Sequence, residues 1–110
     1  MASTAATGHP RVMPHPELAD VPLTAVLFAL SDPARLELVR LIAAEGPQTV
    51  AQCQAVDPAA PKSTFSHHLK TLREAGIVRN EPEGRQRRIS LRRAELDDRF
   101  PGLLESVLQG

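Results

Sequence analysis

The sequence predicts a mainly α-helical domain with one small β-hairpin, which places it in the α+β class. Apolar residues recur at helical spacing in several segments that are separated by Pro, Gly and Asp. Residues 77–91 instead alternate between apolar and polar side chains on both sides of a Gly-Arg turn, as two paired strands do. With 110 residues the chain is long enough for one hydrophobic core, so we expect a single domain.

Residues 1–16 are predicted to be a flexible N-terminal arm. They are rich in Ala, Thr and Gly, and they contain Pro10, Pro14 and Pro16. The folded domain is therefore expected over residues 17–110.

Two helices are predicted after the arm. The first spans residues 17–30, and Pro22 is compatible with it only if the helix begins nearby. The second starts at Asp32, which caps it ahead of Pro33, and it ends at Gly46. Its apolar surface is wide, so we expect it to be the most buried helix.

A helix-turn-helix arrangement follows. Gln48 or Thr49 caps a short third helix that extends to Val56, and residues 57–61 form a proline-bounded turn ahead of the next helix. This turn is longer than the three or four residues usual in the motif. The sequence therefore defines the presence of the two helices better than the angle between them.

Residues 63–78 contain the fourth predicted helix, whose two sides differ. Ser63 is expected to cap its start, and Gly76 to end it in a left-handed conformation. Phe65, Leu69 and Leu72 fall on one narrow stripe that is expected to pack against the core. The opposite side carries the polar and basic residues Ser63, Ser66, His67 and Lys70.

This polar side suits two roles. Its hydroxyl, imidazole and ammonium groups match the base edges and phosphates of a DNA major groove, although an ordinary solvated helix face has a similar composition. The charge pattern favours DNA, because Lys62–Arg93 contains nine basic and three acidic residues, a local charge of +6 in a chain of net charge zero. The predicted hairpin lies within this basic region and turns at Gly84-Arg85.

The C-terminal part predicts a fifth helix. Residues 93–99 are compatible with a helical turn, and an apolar stripe comes after them. The stripe consists of Phe100, Leu103, Leu104, Val107 and Leu108. A helix this short is unstable alone in water. We expect it to dock on the first helix, or to pair with the same helices of a second subunit.

Two side chains within apolar segments are predicted to be structural. Arg35 falls in the apolar arc of the second helix, where its stem is expected to pack and its guanidinium to be paired. Cys53 is the single cysteine, so the chain has no internal disulfide, and we expect a buried thiol, with redox or metal sensing as the alternative.

Composition and motifs exclude several classes of protein. The aromatic residues are three phenylalanines, without Trp or Tyr, which argues against single-strand binding modules that stack bases on aromatic rings. We expect no enzymatic activity, because there is no glycine-rich phosphate loop, nucleophile motif or pair of carboxylates in an apolar pocket. No apolar run reaches membrane-spanning length, so a soluble cytoplasmic protein without a membrane partner is expected.

Three segments together resemble the ArsR/SmtB family of bacterial winged helix-turn-helix repressors. They are residues 27–36, 66–78 and 83–85, with the sequences LFALSDPARL, SHHLKTLREAGIV and EGR. They occur in the order and spacing of the family, and the resemblance extends over residues 23–108. It implies a winged helix-turn-helix fold of five helices and a two-stranded wing, assembled as a homodimer on double-stranded operator DNA.

The resemblance also implies roles for individual residues. The fourth helix would face the major groove, the wing would contact the DNA backbone or minor groove, and the first and last helices would form the dimer interface. The implied DNA-binding residues are Ser63, Thr64, Ser66, His67, His68, Lys70, Arg85, Arg87 and Arg88. The implied interface residues are Leu23, Leu27, Phe100, Leu103, Leu104 and Val107. His68 borders the packed stripe, so a structural, hydrogen-bonded role is its alternative.

Many members of the family sense metals, but neither familiar site of the family is complete here. The third helix offers only Cys53, and residues 94–110 contain carboxylates without a histidine. The remaining candidate ligands for Ni²⁺ or Zn²⁺ are His9 and His15 in the arm, joined by Asp97, Asp98 or Glu105 if the two parts meet across a dimer. Histidines solvated in the arm are the alternative, and no cofactor is expected to be required for folding.

The sequence thus predicts a transcriptional regulator that binds double-stranded DNA and responds to nickel, to zinc or to another signal. A regulator controlled by redox chemistry or by a companion protein is one alternative. The other is a winged-helix module whose basic surface binds an acidic protein.

Overall fold

The computed structural model describes residues 13–110, which form six α-helices and a three-stranded antiparallel sheet. A 3₁₀ turn, Leu18–Asp20, comes before the first helix. The helices are α1 (Leu23–Leu30), α2 (Pro33–Glu45), α3 (Val50–Gln54), α4 (Lys62–Glu74), α5 (Arg93–Arg99) and α6 (Leu103–Gln109). The strands are β1 (Gln48–Thr49), β2 (Val78–Glu83) and β3 (Gln86–Leu91). The predicted winged helix-turn-helix class is confirmed.

The starts of α2 and α3 follow local capping signals. The Asp32 carboxylate accepts hydrogen bonds from the amides of Ala34 at 2.8 Å and Arg35 at 3.2 Å, with a proline in the first turn of α2. Thr49 and Gln52 form a reciprocal capping box at α3. Both starts were predicted, although α3 ends at Gln54 and not at Val56.

The start of α1 meets the condition set by Pro22, whereas the predicted start of α4 is wrong. Helix α1 begins at Leu23, directly after Pro22, and residues 17–22 lie outside it. Ser63 is not the cap of α4, which starts at Lys62 with Pro61 as its N-cap. The Pro61 carbonyl accepts the first helical hydrogen bond, from the Phe65 amide at 3.0 Å, so Ser63 already lies inside the helix.

The sheet contains one strand more than the predicted two-stranded wing. Its strand order is β1-β3-β2, with Asn80 opposite Ile89 in β2–β3 and Gln48 opposite Ile89 in β1–β3. The additional strand, β1, has two residues, which is too short to produce a recognisable alternation. It fixes the base of the wing to the start of α3.

The C-terminal segment forms two short helices where one was predicted. Gly102, at a φ of 80°, separates α5 from α6. Leu104 is 3 % exposed and packs in the core of its own chain. This burial removes Leu104 from the predicted dimer interface.

The core connects all the helices and the sheet, and Arg35 is part of it. Arg35 is 6 % exposed, and its guanidinium donates to the carbonyls of Ala29 at 2.7 Å and Phe28 at 3.2 Å. Its predicted structural role is confirmed. Gly76 follows α4 at a φ of 76°, and a Cβ there would lie 2.6 Å from a Leu18 methyl carbon, so any other residue would be strained and would displace Leu18.

Residues 13–16, assigned to the flexible arm from the sequence, are held against the folded domain. The guanidinium of Arg73 donates to the Pro14 carbonyl at 2.7 Å, and that of Arg92 donates to the Pro16 carbonyl at 2.8 Å. The ordered chain therefore begins before residue 17. His9 and the rest of residues 1–12 lie outside the described residues. Within residues 13–110, no helix has the length and apolar character needed to cross a membrane.

Candidate nucleic-acid interface

Helix α4 is anchored through one side and exposes the other. Phe65, Leu69 and Leu72 are buried in the core, as the helical periodicity predicted. The exposed residues of α4 include Ser63, Thr64, Ser66, His67 and Lys70, all of which belong to the predicted DNA-binding set. The only hydrogen bond that joins any of these five side chains to another described residue is a long one of 3.5 Å between His67 and Thr71. Their polar groups are therefore available to a ligand.

His68 differs from its neighbours on α4. Its Nδ1 lies 3.3 Å from Nη1 of Arg35, and its Nε2 lies 4.0 Å from the Asp32 carboxylate, with 14 % of the side chain exposed. These contacts direct the imidazole towards α2 and away from the polar side of α4. This position agrees with the structural, hydrogen-bonded role that was the alternative for His68. We therefore remove His68 from the predicted DNA-binding residues.

A groove between α4 and the wing concentrates positive charge. It has a volume of about 500 Å³, and Ser66 and Asn80 are among its lining residues. Its basic lining residues are Lys62, Lys70, Arg73 and Arg87. We call it the basic groove. Its charge and its position beside the polar side of α4 fit a DNA backbone that follows the helix.

The three predicted wing arginines have different surroundings. Arg85 lies exposed at the hairpin turn, and among residues 13–110 it has no ion-pair or hydrogen-bond partner. Arg88 is exposed but forms an ion pair with Glu83 at 2.8 Å. Arg87 is half-buried, and its guanidinium donates to the side-chain oxygen of Asn80 at 2.6 Å and to the Asn80 carbonyl at 3.0 Å. Arg85 is thus the wing residue that is best placed to contact DNA, while Arg87 also supports the wing.

Asn80 was missed in the sequence, although it organises this region. It is 6 % exposed, its side-chain oxygen accepts from Arg87, and its main-chain amide donates to Nε2 of His15 at 3.0 Å. The signal that could have found it was an asparagine at an inward-facing position of β2, because Val78 and Asn80 share a face of the strand. A buried amide side chain requires a partner, and here Arg87 of the wing provides it, while His15 of the arm accepts from the main-chain amide.

The described residues do not provide a metal site. In residues 13–110 no group of three or more His, Cys, Asp and Glu side chains is arranged to hold a metal. Nε2 of His15 already accepts a hydrogen bond, and burial together with the nearby Arg79 lowers the pKa of His15. Asp97 lies 3.9 Å from Arg93 across one turn of α5. Because His9 lies outside the described residues, a metal site in the arm stays a prediction.

Cys53 has the surroundings of a structural thiol. It is 1 % exposed, and burial raises its pKa to about 11. The thiol is therefore neutral at physiological pH and unreactive.

Exposed apolar side chains on α1 mark the surface predicted for dimerisation. Leu23 and Leu27 are 45 % and 44 % exposed, and Phe28 is 65 % exposed. Phe100, Leu103 and Val107 are partly exposed. An apolar surface of this kind suits a subunit contact, and the homodimer itself remains a prediction.

Comparison with known proteins agrees with this geometry. A model of a helix-turn-helix domain family matches residues 30–81, which include α2, α3, α4 and most of β2. The uncharacterised HTH-type transcriptional regulator YceK of Bacillus subtilis is 34 % identical over 95 residues, which cover 81 % of this chain and 90 % of that protein.

Solved structures give the same result. One is described as a possible transcriptional regulator for arsenical resistance; it is 36 % identical, has a TM-score of 0.59 and is matched over 73 % of this chain and 80 % of its own. An ArsR-like transcriptional regulator from Rhodococcus sp. RHA1 is 26 % identical, also with a TM-score of 0.59, over 84 % of this chain and 81 % of its own.

Proposed function

This chain belongs to the ArsR-type family of helix-turn-helix transcriptional regulators, and from this premise we propose that it binds a specific double-stranded operator sequence as a homodimer. The observation that carries the proposal is the polar side of α4, whose side chains are exposed and which lies beside the basic groove. A helix fixed by its apolar side and polar on the other can enter a major groove without losing core contacts.

The exposed residues divide between two tasks. Lys62 and Lys70 are positioned to neutralise phosphates, which supplies affinity without sequence information. Ser66 and His67 offer groups of the kind that discriminate base edges. Arg85 at the tip of the wing extends the contact to the neighbouring backbone or minor groove.

A homodimer would present two copies of α4 to two half-sites of a palindrome. The exposed apolar residues of α1 support this assembly, together with the partly exposed Phe100, Leu103 and Val107. Leu23 and Leu27 would then become buried between the subunits. Occupation of a promoter by this dimer would block or adjust access of RNA polymerase.

Selection of bound sequences from a random pool of duplex DNA tests the proposal, because every possible operator sequence is represented in such a pool. We expect enrichment of a palindrome, and a steep loss of affinity for it as salt is raised in fluorescence anisotropy titrations. A protein that enriches no sequence and shows no salt dependence on duplex DNA would overturn the proposal. That result would favour the alternative, a winged-helix module that binds an acidic protein.

The His67→Ala variant separates base reading from backbone binding. We expect it to reduce binding to the selected palindrome by about tenfold while leaving binding to random duplex unchanged, since one good base contact contributes about 1–3 kcal/mol. Equal losses on both DNAs would remove His67 from the base-reading residues.

Nickel or zinc responsiveness belongs to this proposal as a separate hypothesis. If His9 and His15 hold the metal, His15 must release the Asn80 amide, so metal binding and docking of residues 13–16 compete. Calorimetric titration of metal-free protein with Ni²⁺ and Zn²⁺, repeated on a His9→Ala/His15→Ala variant, tests it. About one metal per subunit that is lost in the variant supports an arm site, and unchanged binding contradicts it.

A further inference from the structure

A second concave surface lies on the flank of α4 that faces α2 and the loop ahead of α4. It has a volume of about 660 Å³ and is bordered by α2, by the loop of residues 55–61 and by α4. Its floor is formed by the buried side chains of Leu38, Cys53 and Phe65. We call it the acidic cleft, for the carboxylates at its rim.

The long turn of the helix-turn-helix motif creates this cleft. Residues 55–61 exceed the three or four residues usual between the two helices of the motif. They carry Val56 and Ala60 into the wall of the cleft. Val56 is 46 % exposed, one of the four large apolar side chains that are most exposed among the described residues. An apolar wall is thus open to solvent.

The charges around the cleft are negative. Asp32, Glu37 and Asp57 line it, and no lysine or arginine is among its described lining residues. Arg40 approaches Glu37 from outside the cleft, with an ion pair of 3.0 Å. Arg35, which lies beyond His68, donates to main-chain carbonyls and is occupied within the core.

Cys53 in the floor and Asp32 in the rim have shifted pKa values. The thiol of Cys53 stays neutral because burial raises its pKa to about 11. Burial also acts to raise the pKa of Asp32, but the hydrogen bonds from the amides of Arg35 and Ala34 outweigh it and hold the pKa below its usual value. The cleft therefore combines an apolar, uncharged floor with an anionic rim.

We infer that the acidic cleft binds a small organic cation with an apolar ring body. The apolar part would cover Leu38, Cys53 and Phe65, and the positive charge would lie near Glu37 and Asp57. The volume falls in the range of about 300–1,000 Å³ that is typical of small-molecule sites.

The position of the cleft relates the ligand to α4. Thr64 and His68 lie one turn apart on α4, and both line the cleft. A bound cation would therefore contact the same helix that carries the polar side proposed to face DNA. Because the acidic rim repels phosphates, DNA would not compete directly for the cleft.

Tetraphenylphosphonium is a suitable probe, since it is a hydrophobic cation of drug-like size, and tetraphenylborate is its anionic counterpart of equal shape. Titrations are made without DNA, so that the result does not depend on the proposed function. Calorimetry gives the stoichiometry, and amide chemical shifts of ¹⁵N-labelled protein give the location. We expect one phosphonium per chain, with shifts at Val56, Ala60, Thr64 and His68, and no shifts there with the borate.

A charge-neutralised variant tests the role of the rim. Glu37→Gln/Asp57→Asn removes two carboxylates while leaving the capping residue Asp32 intact. We expect phosphonium affinity to fall about tenfold, because an exposed charge contributes a factor of about three to five. The matched control, Asp20→Asn/Glu45→Gln, changes the net charge equally at residues outside the cleft and is expected to bind as the original chain does.

Three outcomes would overturn the inference. They are equal effects of phosphonium and borate on the cleft amides, unchanged affinity in the Glu37→Gln/Asp57→Asn variant, and phosphonium shifts confined to the basic groove or to α1.

Discussion

The two flanks of α4 have opposite chemistry. The flank towards the wing is lined by four basic side chains, whereas the flank towards α2 is lined by three acidic side chains above an apolar floor. Both flanks belong to one helix of 13 residues in a chain of net charge zero. The net charge therefore does not describe how charge is distributed over this protein, because basic and acidic side chains lie on opposite flanks of a single helix.

This separation has a physical consequence for recognition. A polyanion is attracted to the basic groove and repelled from the acidic cleft, so the local field orients the protein on DNA before any base is read. The same field favours a cation in the cleft. Substitutions on either flank test whether the two flanks act as separate sites.

Phe65 joins the two flanks, since it borders both the basic groove and the acidic cleft and is 7 % exposed. Phe65→Ala is expected to lower the free energy of unfolding by about 3–4 kcal/mol, through lost burial and a cavity next to Leu69 and Leu72. Urea denaturation measures the loss. Val56→Ala is the control, because its side chain is exposed and its truncation is expected to cost less than about 0.5 kcal/mol.

Removal of charge from each flank in turn separates their functions. Lys62→Ala/Lys70→Ala removes four lysines from the proposed homodimer. We expect it to weaken binding to all duplex sequences by about tenfold or more and to reduce the slope of log affinity against log salt by about 3.6. Anisotropy titrations at several salt concentrations measure both quantities. If Glu37→Gln/Asp57→Asn, which changes the opposite flank, altered DNA affinity as strongly, the two flanks would not be separate sites.

The fold was predictable from the sequence where interactions are local. The apolar stripe of Phe65, Leu69 and Leu72, the caps at Asp32 and Thr49 and the hairpin turn all depend on residues within a few positions of one another. The cap of α4 was misassigned because a serine is a common cap, while Pro61, two positions earlier, already has the extended backbone that a cap requires.

Most of the structural features that could not be predicted from the sequence depend on contacts between residues that are distant in the chain. His15 meets Asn80, and Arg73 meets Pro14, across about sixty residues of chain, so no periodicity indicates them. The assignment of Arg87 to DNA was incomplete for the same reason, because its contact with Asn80 depends on the register of β2 and β3. The acidic cleft likewise forms where α2 meets the loop of residues 55–61 and α4, which are separated from α2 in the chain by β1 and α3.

Within the basic flank, the wing arginines are expected to differ in strength. Arg85→Ala removes an exposed guanidinium without an internal partner in residues 13–110, and we expect DNA affinity to fall about threefold. Arg88→Ala is expected to have a smaller effect, because Glu83 already neutralises that charge in part. Both variants should keep the original midpoint in urea. An Arg88→Ala loss greater than that of Arg85→Ala would show that the ion pair opens on DNA.

The smallest expected effect is the dependence of folding stability on pH, which involves His15 beside the basic groove. Neutral His15 accepts the Asn80 amide beside the basic groove, and its pKa is lowered by burial and by the neighbouring Arg79, Arg73 and Arg92, with Glu81 opposing them. The folded state therefore holds the proton less tightly than the unfolded chain. The stability that this contact contributes is complete above pH of about 6.5 and declines as the pH falls below it.

We expect the urea midpoint to decrease modestly as the pH is lowered from about 7.5 to about 5.5, and the decrease to be smaller in His15→Gln, which cannot gain the proton. Binding of the phosphonium probe should be the same in His15→Gln as in the original chain at each pH, because His15 does not line the acidic cleft. An equal pH dependence in His15→Gln would assign the effect to another group. A phosphonium affinity that changed with the His15→Gln substitution would instead connect the cleft to the docked residues 13–16, and the two flanks would then respond as one unit.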